Sequence, residues 1–251
     1  MDKVLSGKTA LITGASRGIG KSISEKLAEM GADLVITSRK QPVLEEVAHA
    51  ITSYGGSVLP LACHMGEPAQ IETLFAKIEK EKGGVDILVN NAATNPIFGP
   101  ILMADENAWN KIMDVNVKGY FLSCKAVHPY MAQKGYGKIV NVASTAGLNP
   151  SFGLGAYSVS KAAVIMLTKV LAKEWGTFGI RVNALCPGLV KTKFSQALWS
   201  VQEILDEALK MQPIPGLAEP MDVVGAAVFM CIPASDFMTG HALVVDGGGI
   251  L

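Results

Sequence analysis

Four cysteines, Cys63, Cys124, Cys186 and Cys231, are scattered through 251 residues, and no two stand in the CxxC spacing that opens a zinc or redox site. They are expected to be reduced thiols in the core. No run of lysine and arginine exceeds two, and 22 basic residues balance 22 acidic ones, so the electrostatic footprint of a nucleic-acid partner is missing. The histidines at 49, 64, 128 and 241 show no ligand spacing, and no metal is expected. Long hydrophobic runs are also lacking. The longest, "VVGAAVFMCI" at 223–232, is too short to span a bilayer, so no membrane partner is expected. The mean hydropathy of +0.33 then points to buried strands and to helix faces packed against other subunits. "MDKVLSGKTALITG" has no basic stretch followed by a long apolar one, and "DGGGIL" lacks an S-K-L address; the expected location is cytoplasmic.

What is present is a rhythm. "TALIT", "DLVIT", "SVLPLA", "DILVN", "KIVNVA", "IRVNAL" and "ALVVD" are short β-rich runs, each beside an amphipathic segment, which predicts βαβ units and a parallel sheet of seven strands. Near-continuous apolar strands fit a sheet covered on both faces. With 49% hydrophobic residues the chain can build one sizeable core, so a single α/β domain over 1–251 is expected. The first helix should open near Arg17, present Ile19, Ile23, Leu27 and Met30 on one face, and stop at Gly31. A stretch from about 189 to 220 has no strand character and predicts a lid.

Chemistry enters at "TGASRGIG", Thr13 to Gly20, with glycines at 14, 18 and 20 between the first strand and that helix. Such a turn lets the backbone approach a phosphate and seats a pyrophosphate at the helix N-terminus. The second strand ends in Ser38, Arg39 and Lys40, where an NAD site usually has a carboxylate; cations there, with Arg17, suit a 2'-phosphate and predict NADP(H). "YSVSK" puts Tyr157 and Lys161 one helical turn apart on one face, where an ammonium would lower the phenol's pKa. Taken alone, the pair reads better as a buried tyrosine beside a surface lysine. Ser144 in "NVASTAG" ends the preceding strand, Asn116 in "DVNVKGYF" is a polar residue in an apolar helical stretch, and Asn90 and Asn91 end the fourth strand.

In this order, the turn at 13–20, "NNAA" at 90–93, Asn116, Ser144, the pair at 157 and 161 and "PGLVKT" at 187–192 resemble the short-chain dehydrogenase/reductase family over essentially the whole chain. The resemblance implies a Rossmann-type doubly wound sheet. It also implies a catalytic set of Asn116, Ser144, Tyr157 and Lys161. Tyr157 would be the general acid in carbonyl reduction, Lys161 would hold the nicotinamide ribose, Ser144 would orient the substrate oxygen, and Asn116 would anchor a water linked to Lys161. The cofactor would meet Gly14, Ser16, Arg17, Gly18, Ile19, Gly20, Ser38, Arg39, Lys40, His64, Met65, Asn91, Ala92, Pro187, Gly188, Val190 and Thr192, besides Tyr157 and Lys161. His64 stands where the family commonly has an aspartate. "SRKQ", "CHMG", "NAATNPIFGP" and "PGLVKTKFSQALW" are similar to the NADP-dependent retinol dehydrogenase/carbonyl reductase group.

Phe98, Leu148, Phe152, Leu154, Phe194, Leu198 and Trp199 would form an apolar substrate wall. The expected activity is NADPH-dependent reduction of an apolar ketone or aldehyde, reversible to alcohol oxidation, by a homotetramer. The alternatives are a 3-oxoacyl-[acyl-carrier-protein] reductase and a non-catalytic NADPH-binding sensor or scaffold.

Overall fold

A computed structural model describes residues 3–54 and 56–251; Met1, Asp2 and Gly55 lie outside the described residues. The chain runs β1 (Thr9–Thr13), α1 (Gly18–Glu29), β2 (Asp33–Ser38), α2 (Gln41–Thr52), β3 (Val58–Ala62), α3 (Pro68–Lys82) and β4 (Ile87–Asn90). It continues through α4 (Glu106–Met113), α5 (Gly119–Lys134), β5 (Gly137–Val142), α6 (Gly155–Trp175) and β6 (Ile180–Pro187). The last elements are α7 (Gln196–Trp199), α8 (Gln202–Leu209), α9 (Pro220–Cys231) and β7 (Ala242–Val245). All seven expected runs are strands.

They pair in parallel in the order β3-β2-β1-β4-β5-β6-β7. The strand period of two sorts side chains to opposite faces. Ala10 and Ile12 of β1 pack with Ile23 and Leu27 of α1, Leu44 of α2 and Ala227 of α9. Leu11, between them, joins Leu74 and Phe75 of α3 with Cys124 and Val127 of α5 on the other face. This double cover is why the strands read as continuous apolar runs. All four cysteines are buried free thiols.

The strand order reverses between β1 and β4: the chain winds outward to β3, then crosses back to lie beside β1. At such a switch point the loops leaving the carboxyl ends of two neighbouring strands part, and a crevice opens. A hydrogen-bonded staple lies under it. Asn90 Nδ2 donates to Asn141 Oδ1 at 2.9 Å, and Asn141 Nδ2 donates to Thr168 Oγ1 at 3.0 Å, tying β4 to β5 and α6. Asn90 is fully buried and belongs to the core.

One helix, Gly155–Phe178, is long and apolar enough by composition to cross a membrane, which the short run at 223–232 did not suggest. Its small and apolar residues serve close packing here, with Val164, Ile165, Leu171 and Ala172 all buried.

Candidate active site

A cleft of about 1040 Å³ opens at the carboxyl ends of β1 and β4. Its floor is the glycine turn. Gly14 has φ +68°, and a Cβ there would lie 2.9 Å from both the Ala92 Cα and the Asn91 Nδ2. Asn91 is the clamp behind this cradle: Nδ2 donates to the carbonyl oxygens of Thr13 and Gly14 at 3.0 and 3.2 Å. Thr13 Oγ1 in turn accepts from the backbone N–H groups of Asn91 and Ala92 at 2.9 and 3.0 Å. The first turn of α1 holds no acidic residue, and Arg17 caps it with extended backbone but no side-chain bond. Its free N–H groups therefore remain available to an anion.

Of the expected cofactor residues, Gly14, Ser16, Arg17, Gly18, Ile19, Ser38, Arg39, His64, Met65, Asn91, Ala92, Pro187, Gly188, Val190 and Thr192 line this cleft. Two do not. Lys40 is exposed and supplies the backbone that starts α2. Gly20 lies behind the floor, where a Cβ would meet the Gly14 carbonyl oxygen at 2.6 Å, so its part is to let helix and turn close together. His64 Nδ1 accepts from the Gly66 N–H at 3.1 Å, bracing its own loop. A glycine-rich turn, free helix N–H groups and two guanidinium groups fit a dinucleotide, which when bound would bring a nicotinamide able to carry hydride.

Tyr157 and Lys161 face the same cleft from the first turns of α6. Lys161 is 1% exposed, which removes the surface-lysine alternative. Its Nζ donates to the Val142 carbonyl oxygen at 2.6 Å and reaches the Tyr120 Oη at 3.5 Å, with the Tyr157 ring centroid at 5.6 Å. Burial brings the Lys161 ammonium down to about 7, while the nearby Cys186 thiol works in the opposite direction. Burial likewise pushes the Tyr157 phenol up to about 12, against a hydrogen bond with Ser144 that lowers it. The expected lowering by Lys161 does not prevail in the unliganded site, because desolvation penalises the charged form of each group.

Ser144 caps a short helical turn, Thr145–Gly147, its Oγ accepting from the Ala146 N–H at 3.1 Å. A Cβ on Gly147 would lie 2.6 Å from the Lys161 carbonyl carbon, so this glycine is what lets the Ser144 loop press against α6. Asn116 lies in a π turn, Asp114–Lys118, between α4 and α5. Its Oδ1 accepts from the Thr94 N–H at 2.8 Å, and Nδ2 donates to the Thr94 carbonyl at 3.1 Å and to Ser160 Oγ at 3.0 Å. The side chain is thus committed to tying the loop after β4 to α6. Among the described residues it makes no direct bond to Lys161.

The substrate side of the cleft is lined by Phe98, Phe152, Leu154, Phe194 and Leu198. The Phe194 ring stands 5.9 Å from that of Tyr157. The expected lid contains α7 and α8, and its ends are joined where the Lys191 N–H donates to the Ala218 carbonyl at 2.8 Å. Leu148 and Trp199 are corrections, since neither lines the cleft. The Trp199 indole Nε1–H instead donates to the Thr192 carbonyl at 3.0 Å, because a half-buried indole seeks an acceptor and finds one at the root of its own loop. Sequence reasoning gave no role to Thr13, Thr94 and Ser160, polar residues inside the quoted motifs whose partners come from other elements.

Residues 14–249 match the family described as enoyl-(acyl carrier protein) reductase. The chain is 43% identical over 244 residues to dehydrogenase/reductase SDR family member 4 of Oryctolagus cuniculus, covering 97% of this chain and 94% of that protein. The human protein of that name is also 43% identical, with 97% and 88% covered. Among solved structures, a gluconate 5-dehydrogenase from Burkholderia cenocepacia J2315 in complex with NADP and tartrate superposes with a TM-score of 0.93, at 34% identity, covering 98% of this chain and 96% of that one. Likeness over nearly the full length, at these identities, extends beyond a shared sheet, and the chain belongs to the short-chain dehydrogenase/reductase family of NAD(P)-dependent oxidoreductases.

Proposed function

We propose that the chain is an NADPH-dependent carbonyl reductase for apolar ketones and aldehydes, reversible to alcohol oxidation. The observation that carries this reading is a buried Tyr157 phenol, kept neutral by desolvation, where the glycine-turn side of the cleft meets an aromatic wall. Tyr157 gives the proton to the carbonyl oxygen, Ser144 beside it turns its hydroxyl hydrogen from the phenol to that oxygen, and Lys161 secures the ribose side. Arg17 and Arg39 favour a 2'-phosphate, since a guanidinium pairs with phosphate in two-pronged fashion. The NADP held by the solved gluconate 5-dehydrogenase supports the same cofactor.

An acyl-carrier substrate is less well supported. Lys191 is paired with Glu219 at 3.2 Å, and the cleft lining sets Glu203 and Glu207 against Lys111 and Lys193, so no basic patch dominates there to draw an acidic carrier. The deciding experiment is the initial rate of NADPH oxidation, with NADH as control, against a hydrophobic diketone and acetoacetyl-coenzyme A, alongside NADP reduction by gluconate. The diketone is expected to win. Faster turnover of the thioester or of gluconate ends the reading, and NADPH binding without turnover of any of the three leaves a sensor or scaffold.

For assembly we place the chain in a cytoplasmic homotetramer. Phe121 of α5 and Val159, Met166 and Val170 of α6 expose apolar side chains on neighbouring outer helices, which supports burial against a second copy.

A further inference from the structure

Beneath Tyr157 and Lys161 lies a tyrosine that the chemistry above leaves unused. Tyr120, on α5 four residues after Asn116, is 1% exposed and packs with Ala143, Val164, Ile165, Ala184 and Cys186. A phenylalanine would fill this apolar space without burying a hydroxyl, and a buried hydroxyl is costly unless it is bonded. Here the Oη–H donates to the Val142 carbonyl at 3.1 Å. That oxygen is also the acceptor for Lys161 Nζ. With its hydrogen committed to Val142, the Tyr120 oxygen keeps lone pairs for the Nζ that reaches it at 3.5 Å.

We propose that Tyr120 is a positioning residue: its hydroxyl and the Val142 carbonyl form a two-oxygen seat that holds the Lys161 ammonium one helical turn from Tyr157. The seat rests on the reductase reading only in the use that reaction makes of Lys161. Among the described residues no carboxylate pairs with Lys161. The titratable groups around the seat are Tyr157 on α6, Cys186 on β6, Tyr120 on α5 and, behind Tyr120, Cys124 on the same helix. Tyr120 itself is pushed well above the ordinary phenol range by burial first, then by Tyr157 and Cys124, so it serves as a neutral dipole. An acceptor oxygen stabilises the charged amine, so removing it must lower the pH at which Lys161 loses its proton.

The test follows lysine Cε by carbon-13 NMR in the unliganded protein, with the Lys161 signal identified by its loss in Lys161→Met. In Tyr120→Phe the Lys161 midpoint is expected to fall by roughly half a pH unit to one unit, the size appropriate to one long bond to a charged group. An unmoved or raised midpoint overturns the seat. A second measurement needs no variant. With carbon-13 at tyrosine Cζ, two of the five tyrosine signals, those of Tyr157 and Tyr120, should move at the Lys161 midpoint; movement of only one overturns it. Neither titration uses a substrate. A failed diketone assay would leave the seat standing, and an unmoved titration would remove it from even a fast reductase.

Discussion

Burial acts on Tyr157 and Lys161 in opposite directions, toward about 12 for the phenol and about 7 for the amine, and favours the neutral form of both. A neutral phenol is the form that can give a proton to a carbonyl. The amine carries a stability consequence. Its folded pKa lies below that of an exposed lysine, so between about 7 and the unfolded value the unfolded chain binds more protons, and stability rises with pH across that window. The cost of burying charge is fullest below it. Lys161→Met should therefore be more stable than the parent at pH 7, with the advantage shrinking by up to about 1 kcal/mol per pH unit toward pH 9. Urea melts at three pH values measure this; a constant difference would mean that Lys161 stays charged when folded.

At the scale of elements, the site is made by loops that leave a rigid sheet and are held by bonds between segments. Asn91 locks the glycine turn, Asn116 ties the loop after β4 to α6, and Trp199 bolts the lid to Thr192. The last of these can be removed without disturbing the core. Trp199→Phe keeps an aromatic ring but loses a hydrogen bond worth about 1 kcal/mol, so KM for the carbonyl substrate should rise roughly fivefold at saturating NADPH. Steady-state kinetics with the diketone would show it. An unchanged KM would mean that the indole bond does not set the lid's closed population.

At the scale of the whole molecule, the outer face of α6 exposes apolar side chains. Met166 and Val170 of α6 are 58% and 43% exposed on the helix that carries Tyr157 and Lys161, so association would stiffen the wall of the site from outside. Multi-angle light scattering is expected to give about four times 26.4 kDa, and Met166→Glu, which would bury a charge at that face, to give a smaller species. A parent protein that runs as a monomer at micromolar concentration ends the tetramer proposal.

The seven strands, the glycine turn and the facing of Tyr157 toward Lys161 were legible in the sequence because each depends on spacing within one short segment, where helix and strand periods dictate direction. The all-parallel order followed from the βαβ rhythm. What spacing could not decide was burial and partnership across elements. Lys161 meets Tyr120 and Val142 from 41 and 19 residues away, and these contacts make it a buried amine in place of a surface one. The π turn at 114–118, the inward role of Asn91 and the turn of Trp199 away from the cleft have the same origin. Which acceptor a buried polar side chain finds depends on what the tertiary fold brings beside it.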